Sequence, residues 1–293
     1  MVQITKRENM DMKTGFTIAT EAPVTYPALL KGDPAANIKK AADYGAQSIE
    51  LHLPDPDSVD VELLVKTCEE TGVSISAIGT GLATVLRGIS LTSDDDAVCR
   101  RAVSTLCEYV DMAAKLNSVV IMGSIRGRAT DPNGYEAYTE KLAQNLKIAA
   151  DYAAKKQVTL VMEIINRYEL LFLNNAKQVA AFMKQLGCPN VKMHLDTFHM
   201  NIEETSMMAA ILPYKGLIGH VHAADNTRSY PGSGTIDFKE IAVALWAIGY
   251  EGAFSMECMA APDERTSITE GLKVLGDAIN YAQMAYTGVI HTL

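Results

Sequence analysis

VKMHLDTFHMN, residues 191–201, opens as an apolar strand and ends in polar and ionisable groups: His194, Asp196, Thr197, His199 and Asn201. Three more segments of the second half share that design: LVMEIINR at 160–167, LIGHVHAADNTR at 217–228 and AFSMEC at 253–258. Each carries a carboxylate or an imidazole to the end of an apolar run. Strand cores such as VTLVME and VVIMG are apolar almost throughout, as expected for strands buried on both faces of a parallel sheet.

Outward from this stretch the chain reads as eight strand–helix units in strict alternation. The expected strands are 16–19, 48–52, 73–78, 119–123, 158–163, 191–196, 217–222 and 253–257. Asp33-Pro34 is a cap followed by proline at the first helical position, and that helix runs to about Tyr44 before Gly45. Ser58 caps a helix through Glu70 that Gly72 ends, and Ser93 with three aspartates opens a long helix to Leu116. Further helices are expected at 135–156, from Asn174 or Asn175 to Gly187, and near 203–212, 237–248 and 266–286. The three-glycine segment 78–92 reads as a long loop of the functional kind. Gly79-Thr80-Gly81 lacks the spacing of a dinucleotide fingerprint. The fold class is therefore α/β, a single (β/α)8 TIM barrel over residues 15–293 that follows a tail at 1–14.

The chain has 293 residues, 48% hydrophobic and 21% charged, an ordinary globular composition. A net charge of −9 argues against a phosphate-backbone binder, so no nucleic acid is expected. Five cysteines without CxxC spacing read as free thiols in a reducing compartment. The polar N-terminus has no apolar leader, and no run approaches the roughly 18–20 residues of a membrane span. A cytoplasmic protein without a membrane partner is the expectation.

In such a barrel the active site sits at the C-terminal ends of the strands. Glu163, Asp196, His222 and Glu257 fall at the ends of strands five to eight, separated by 33, 26 and 35 residues, about one unit each. Taken singly, a glutamate at a strand end is an ordinary rim residue, and one HxH pair is weak. Together, three carboxylates and an imidazole repel one another unless a cation neutralises them. Oxygen-rich ligation with one nitrogen suits Mn²⁺, Mg²⁺ or Co²⁺, with Mn²⁺ preferred here. His194 reads as a hydrogen-bonded core histidine. Glu50 and His52 are candidates for the pocket wall. Arg126 and Arg128 are candidates for binding a substrate carboxylate or phosphate, with plain salt bridges as the alternative.

These motifs resemble the divalent-metal, xylose-isomerase-like TIM barrels of the sugar isomerase and epimerase superfamily. The matching segments are MEIINRYE (162–169), LDTFHMNIEE (195–204), GHVHAADNTR (219–228), PGSGTIDF (231–238) and MEC (256–258). They look most like the ketose 3-epimerases and their keto-sugar-acid relatives. AIGTGLATVLRGISLT (77–92) with IRGR (125–128) resembles the 5-keto-L-gluconate epimerase branch. The resemblance implies that Glu163, Asp196, His222 and Glu257 hold the metal and that Glu163 and Glu257 transfer the proton. It also implies that His199, Arg228 and Glu169 contact the substrate's C1–C3 oxygens. The chain departs from the sugar 3-epimerases at FTIATEAP (16–23), at the histidine-free GTG (79–81) and at MAAPDER (259–265), segments that build the pocket wall.

Epimerisation beside a ketone removes a proton from one face of a carbon and returns one to the other, through a cis-enediolate. Glu163 and Glu257 are the expected pair, acting on a keto-sugar or keto-sugar acid. An aldose–ketose isomerase is one alternative. A lyase acting on a 3-keto glycoside with a small partner chain is another. Otherwise a homo-oligomer, dimer or tetramer, is expected.

Overall fold

The computed structural model describes residues 11–287. Its eight barrel strands are β1 (Lys13–Ala19), β2 (Ser48–His52), β3 (Ser74–Gly79), β4 (Val119–Met122), β5 (Leu160–Glu163), β6 (Val191–Asp196), β7 (Ile218–Ala223) and β8 (Ala253–Met256). Each pairs in parallel with the next, and β1 pairs with β8 through Lys13–Ala253 and Phe16–Met256, which closes the ring. The two-residue strand Leu30–Lys31 extends β1 on its outer side. The first strand starts at Lys13, so Lys13 and Thr14 of the expected tail belong to the barrel.

Ten helices surround the ring among the described residues: α1 (Pro34–Asp43), α2 (Val61–Thr71), α3 (Gly81–Arg87), α4 (Asp96–Leu116), α5 (Tyr135–Lys155), α6 (Ala176–Leu186), α7 (Thr197–Glu203), α8 (Met207–Ile211), α9 (Phe238–Ile248) and α10 (Glu264–Thr287). Their ends follow side-chain chemistry. Asp33 accepts from the Ala36 amide at 2.7 Å, Asn175 from Gln178 at 3.0 Å, and Gly72 and Gly187 end α2 and α6 with left-handed backbones. Asp60 caps α2 in place of the expected Ser58, and Asp95 caps α4 in place of Ser93. A carboxylate two residues further on reaches the first-turn amides in each case.

Two expectations are corrected. The stretch 78–92 contains α3, which buries Leu82 and Ala83. Seven residues, Gly81–Arg87, are too few for a helical period to show in sequence. Also, β6 runs into α7 with no loop, because Asp196 both ends the strand and caps the helix, accepting from the His199 amide at 3.1 Å. No helix of the described residues is long and apolar enough to cross a membrane.

The main core lies between strands and helices. The barrel interior is divided. On the side of β3 to β5, Ala77, Ile121 and Val161 make a small apolar cluster. On the side of β2, β6 and β7, buried Glu50, His52, His194, His220 and His222 replace apolar filler. At Gly15 a β-carbon would meet the Ser48 carbonyl at 2.3 Å, so β1 and β2 approach closely only because that position is glycine. Gly15→Ala is expected to cost about 1–3 kcal/mol, since strand backbone cannot yield as a side chain does. Urea unfolding followed by circular dichroism measures this, and an unchanged midpoint would contradict it.

Candidate active site

The upper ends of β5 to β8 bring four side chains to one point. His222 Nδ1 lies 3.5 Å from Glu163 Oε1, 3.4 Å from Asp196 Oδ2 and 3.5 Å from Glu257 Oε2. The four potential ligand atoms all fall within 4.8 Å of one another. His222 Nδ1 is fully buried without a hydrogen-bond partner, an orphan atom aimed at three carboxylates. Gly123 makes room for the cluster, because a β-carbon there would stand 2.4 Å from Glu163 Oε2.

Beneath this point sits Glu50, fully buried on β2. Its carboxylate meets His222 Nε2 at 2.8 Å and His220 Nε2 at 2.6 Å, and also bonds His52 Nε2. Tyr26, from the loop after β1, hydrogen-bonds to the other nitrogen of His52. Burial alone would raise the Glu50 carboxyl. The His222 charge and the imidazole hydrogen bonds outweigh burial and hold it well below the usual range. Burial also opposes charge on His222, but Glu50 and Glu257 outweigh it and hold the imidazole well above its ordinary value. A carboxylate bonded to the far nitrogen of a histidine orients it as a metal ligand and raises its basicity.

His194 corrects the sequence reading. It is buried as expected, but neither ring nitrogen has a hydrogen bond. Its ring packs edge-on against His222 at a centroid distance of 4.0 Å. Burial and the neighbouring imidazoles His222 and His220 hold its pKa well below the ordinary value, so it fills the lumen as a neutral ring.

Above the point, α7 presents His199. Asn166 Nδ2 lies 2.7 Å from His199 Nδ1 and 3.0 Å from Glu169 Oε1, so one amide holds both side chains. The amide donates, which makes Nδ1 the acceptor by inference and turns Nε2–H toward Glu163 Oε1, 3.9 Å away. Arg228 Nη1 donates to both oxygens of Asp196 at 2.9 and 2.7 Å, and Nη2 bonds Glu257. The guanidinium lies over the Phe198 ring, 4.9 Å from its centroid. Arg228 has a left-handed backbone, φ 61°. Buried Asp225 clamps its loop by accepting from the Asn226, Gly232 and Ile236 amides. Burial pushes the Glu257 carboxyl up to about 7, against the charges of His222 and Arg228. Asp196 is held well below the usual range because Arg228 and His199 outweigh its burial.

A cavity of about 220 Å³ opens over this floor. Tyr26, His52, Ser124, Arg128, Glu163, Glu169, His199, Arg228 and Glu257 line it. A larger groove of about 630 Å³ between α6 and the Leu212–Tyr214 turn contains none of the expected site residues. Two expected substrate contacts are corrected. Glu50 lies under the floor, committed to three imidazoles, and its neighbour His52 reaches the cavity instead. Arg126 is 0% exposed, and both terminal nitrogens donate to the Leu173 carbonyl at 3.3 Å, whereas Arg128 lines the cavity. Asn166, Asp225 and Tyr26 were not singled out from sequence. Asn166 stands inside the MEIINRYE motif, while Tyr26 carries no local signal.

Three carboxylates and one imidazole, offered through its orphan Nδ1, form a donor set that fits a hard or borderline divalent cation. A profile of the xylose isomerase-like TIM barrel family matches residues 38–278. The ketose 3-epimerase of Arthrobacter globiformis is 33% identical over 78% of this chain and 79% of that protein. The L-ribulose 3-epimerase of Mesorhizobium japonicum is 35% identical over 77% of this chain and 74% of that protein. A solved L-ribulose 3-epimerase structure superimposes with a TM-score of 0.77 at 27% identity, covering 94% of this chain and 98% of that one. By motif, fold and family profile together, the chain belongs to the xylose isomerase-like TIM-barrel family.

Proposed function

We propose that this protein is an epimerase that inverts C3 of a keto-sugar or keto-sugar acid. One observation carries the reading: Glu163, Asp196 and Glu257 converge on His222 Nδ1 at the floor of a cavity of about 220 Å³. That volume lies below the roughly 300–1,000 Å³ of drug-sized pockets and suits one monosaccharide. The names of the relatives, ketose and L-ribulose 3-epimerases, point the same way. The reading also takes the enzyme as cytoplasmic and homo-oligomeric.

In this reading Glu163, Asp196, His222 and Glu257 hold one divalent ion, Mn²⁺ in preference to Mg²⁺ or Co²⁺. When bound, the ion supplies Lewis-acid stabilisation of negative charge. Glu163 and Glu257 stand on β5 and β8, three strands apart on the ring, and so approach the sugar from different directions. One takes the proton from C3 and the other returns a proton to the opposite face, which inverts the centre through a cis-enediolate. His199 directs its Nε2–H into the cavity and Arg228 supplies a fixed positive charge, so both stabilise charge developing on the substrate's oxygens. Glu169, held by Asn166, accepts from a sugar hydroxyl.

Glu163→Gln and Glu257→Gln are each expected to lower kcat by about 10²–10⁴-fold. Proton NMR in D₂O follows both inversion and exchange at C3. Substantial exchange by the double variant would refute the two-glutamate assignment, and an aldose product would favour the isomerase alternative. Mn²⁺ at a hundredfold excess over its Kd should stabilise the chelator-treated protein by about 2.7 kcal/mol. Asp196→Asn should abolish most of that gain in a thermal melt; an equal gain in the variant would place the ion elsewhere.

A further inference from the structure

We propose that Arg128 sets substrate specificity by binding an anionic group, carboxylate or phosphate, carried by the sugar itself. This rests on the reading of the site as a keto-sugar epimerase and narrows its substrate class.

The IRGR segment (125–128) holds two arginines with divided duties. Arg126 is an anchor. It is fully buried, it donates twice to the Leu173 carbonyl, and its own carbonyl accepts from Thr92 Oγ1 at 2.9 Å. Gly127 has φ 90°, and a β-carbon there would meet Thr92 Oγ1 at 2.1 Å, so the chain turns in a space no larger residue fits. The Gly127 carbonyl accepts from Tyr138 Oη at 3.1 Å. The backbone before Arg128 is thus held from both sides. Arg128 projects from this fixed turn to the cavity, where it is exposed.

Arg128 has no carboxylate or carbonyl partner among the described residues, although three glutamates and two histidines line the same cavity. The other arginine of the lining, Arg228, is saturated by Asp196 and Glu257. His52 is held between Tyr26 and Glu50, and Asn166 occupies one nitrogen of His199. Ser124, next along the lining, also has a hydroxyl without a partner among the described residues. A free guanidinium and a free hydroxyl on one wall form a donor set for an anion.

Arg128 would serve one class of substrate and be superfluous for another. The chain carries −9, and Glu163, Glu169 and Glu257 line the cavity. An anionic sugar meets that field at a disadvantage unless a local cation offsets it. A neutral ketose meets no such barrier. The buried glutamates form the floor and Arg128 the exposed rim, which puts the anionic group at the end of the sugar away from the reacting carbon.

The test uses the Mn²⁺-loaded full chain, wild type, Arg128→Ala and Arg128→Lys. Calorimetry measures binding of a keto-hexonate, a ketohexose phosphate and the neutral ketohexose, and NMR measures their turnover. Wild type should prefer at least one anionic sugar, and the preferred one identifies the group as carboxylate or phosphate. Arg128→Ala should reduce the anionic-to-neutral affinity ratio by about tenfold or more, and Arg128→Lys should keep most of it. A preference unchanged in Arg128→Ala, or a wild type that binds neither anionic sugar better than the neutral one, would overturn the assignment. Binding with the expected Arg128 dependence but no inversion at C3 would leave Arg128 in place and sink the epimerase reading instead.

Discussion

The buried carboxylate of Glu50 is the constraint on which the site depends. It lies inside the barrel with no solvent, where an isolated charge is very unfavourable. Three imidazoles from β2 and β7 surround it, and the most consequential is His222. By holding Nε2, Glu50 turns Nδ1 of the same ring upward into the three carboxylates. The polarity then alternates up the barrel axis: Glu50 below, the imidazole between, and Glu163, Asp196 and Glu257 above. Such an arrangement is stable only when each member is in place.

This explains why the barrel interior is lopsided. A barrel lumen is usually filled by branched apolar side chains. Here β3 to β5 follow that rule, with Ala77, Ile121 and Val161 packed together. The other side is given to the histidines. His194 is the intermediate case, a polar ring used as filler, kept neutral by burial and by the imidazoles it touches. Glycine appears where the polar side chains are largest. Gly79 leaves space for the His52 ring and Gly123 for the Glu163 carboxylate.

The upper layer is built from side chains that serve two elements at once. Asp196 ends β6, caps α7 and faces His222, so the strand, the helix and His199 share one geometry. Asn166 does the same for His199 and Glu169. Asp225 holds the loop in which Arg228 adopts its left-handed backbone. Strain of that kind persists where surrounding bonds over-determine it. The side chains around the cavity are therefore positioned by short hydrogen-bonded connections to rigid strand ends.

The alternation of apolar strands with capped helices determined the barrel, because strand burial and helix capping are local properties of residue type. It also located Glu163, Asp196, His222 and Glu257, since a polar residue ending an apolar strand is visible in one dimension. His199, Arg228 and Glu169 came from resemblance of motifs. What lay beyond the sequence was the partner of each group. Glu50 and His222 are 172 residues apart, and only ring closure brings them together. Arg126 and Arg128 look equivalent in IRGR, yet one is locked to Leu173 and the other faces the cavity. Tyr26 reaches the site from a loop that has no periodic pattern. Each depends on packing between segments distant in sequence, and such packing leaves no mark on the order of residues within either segment.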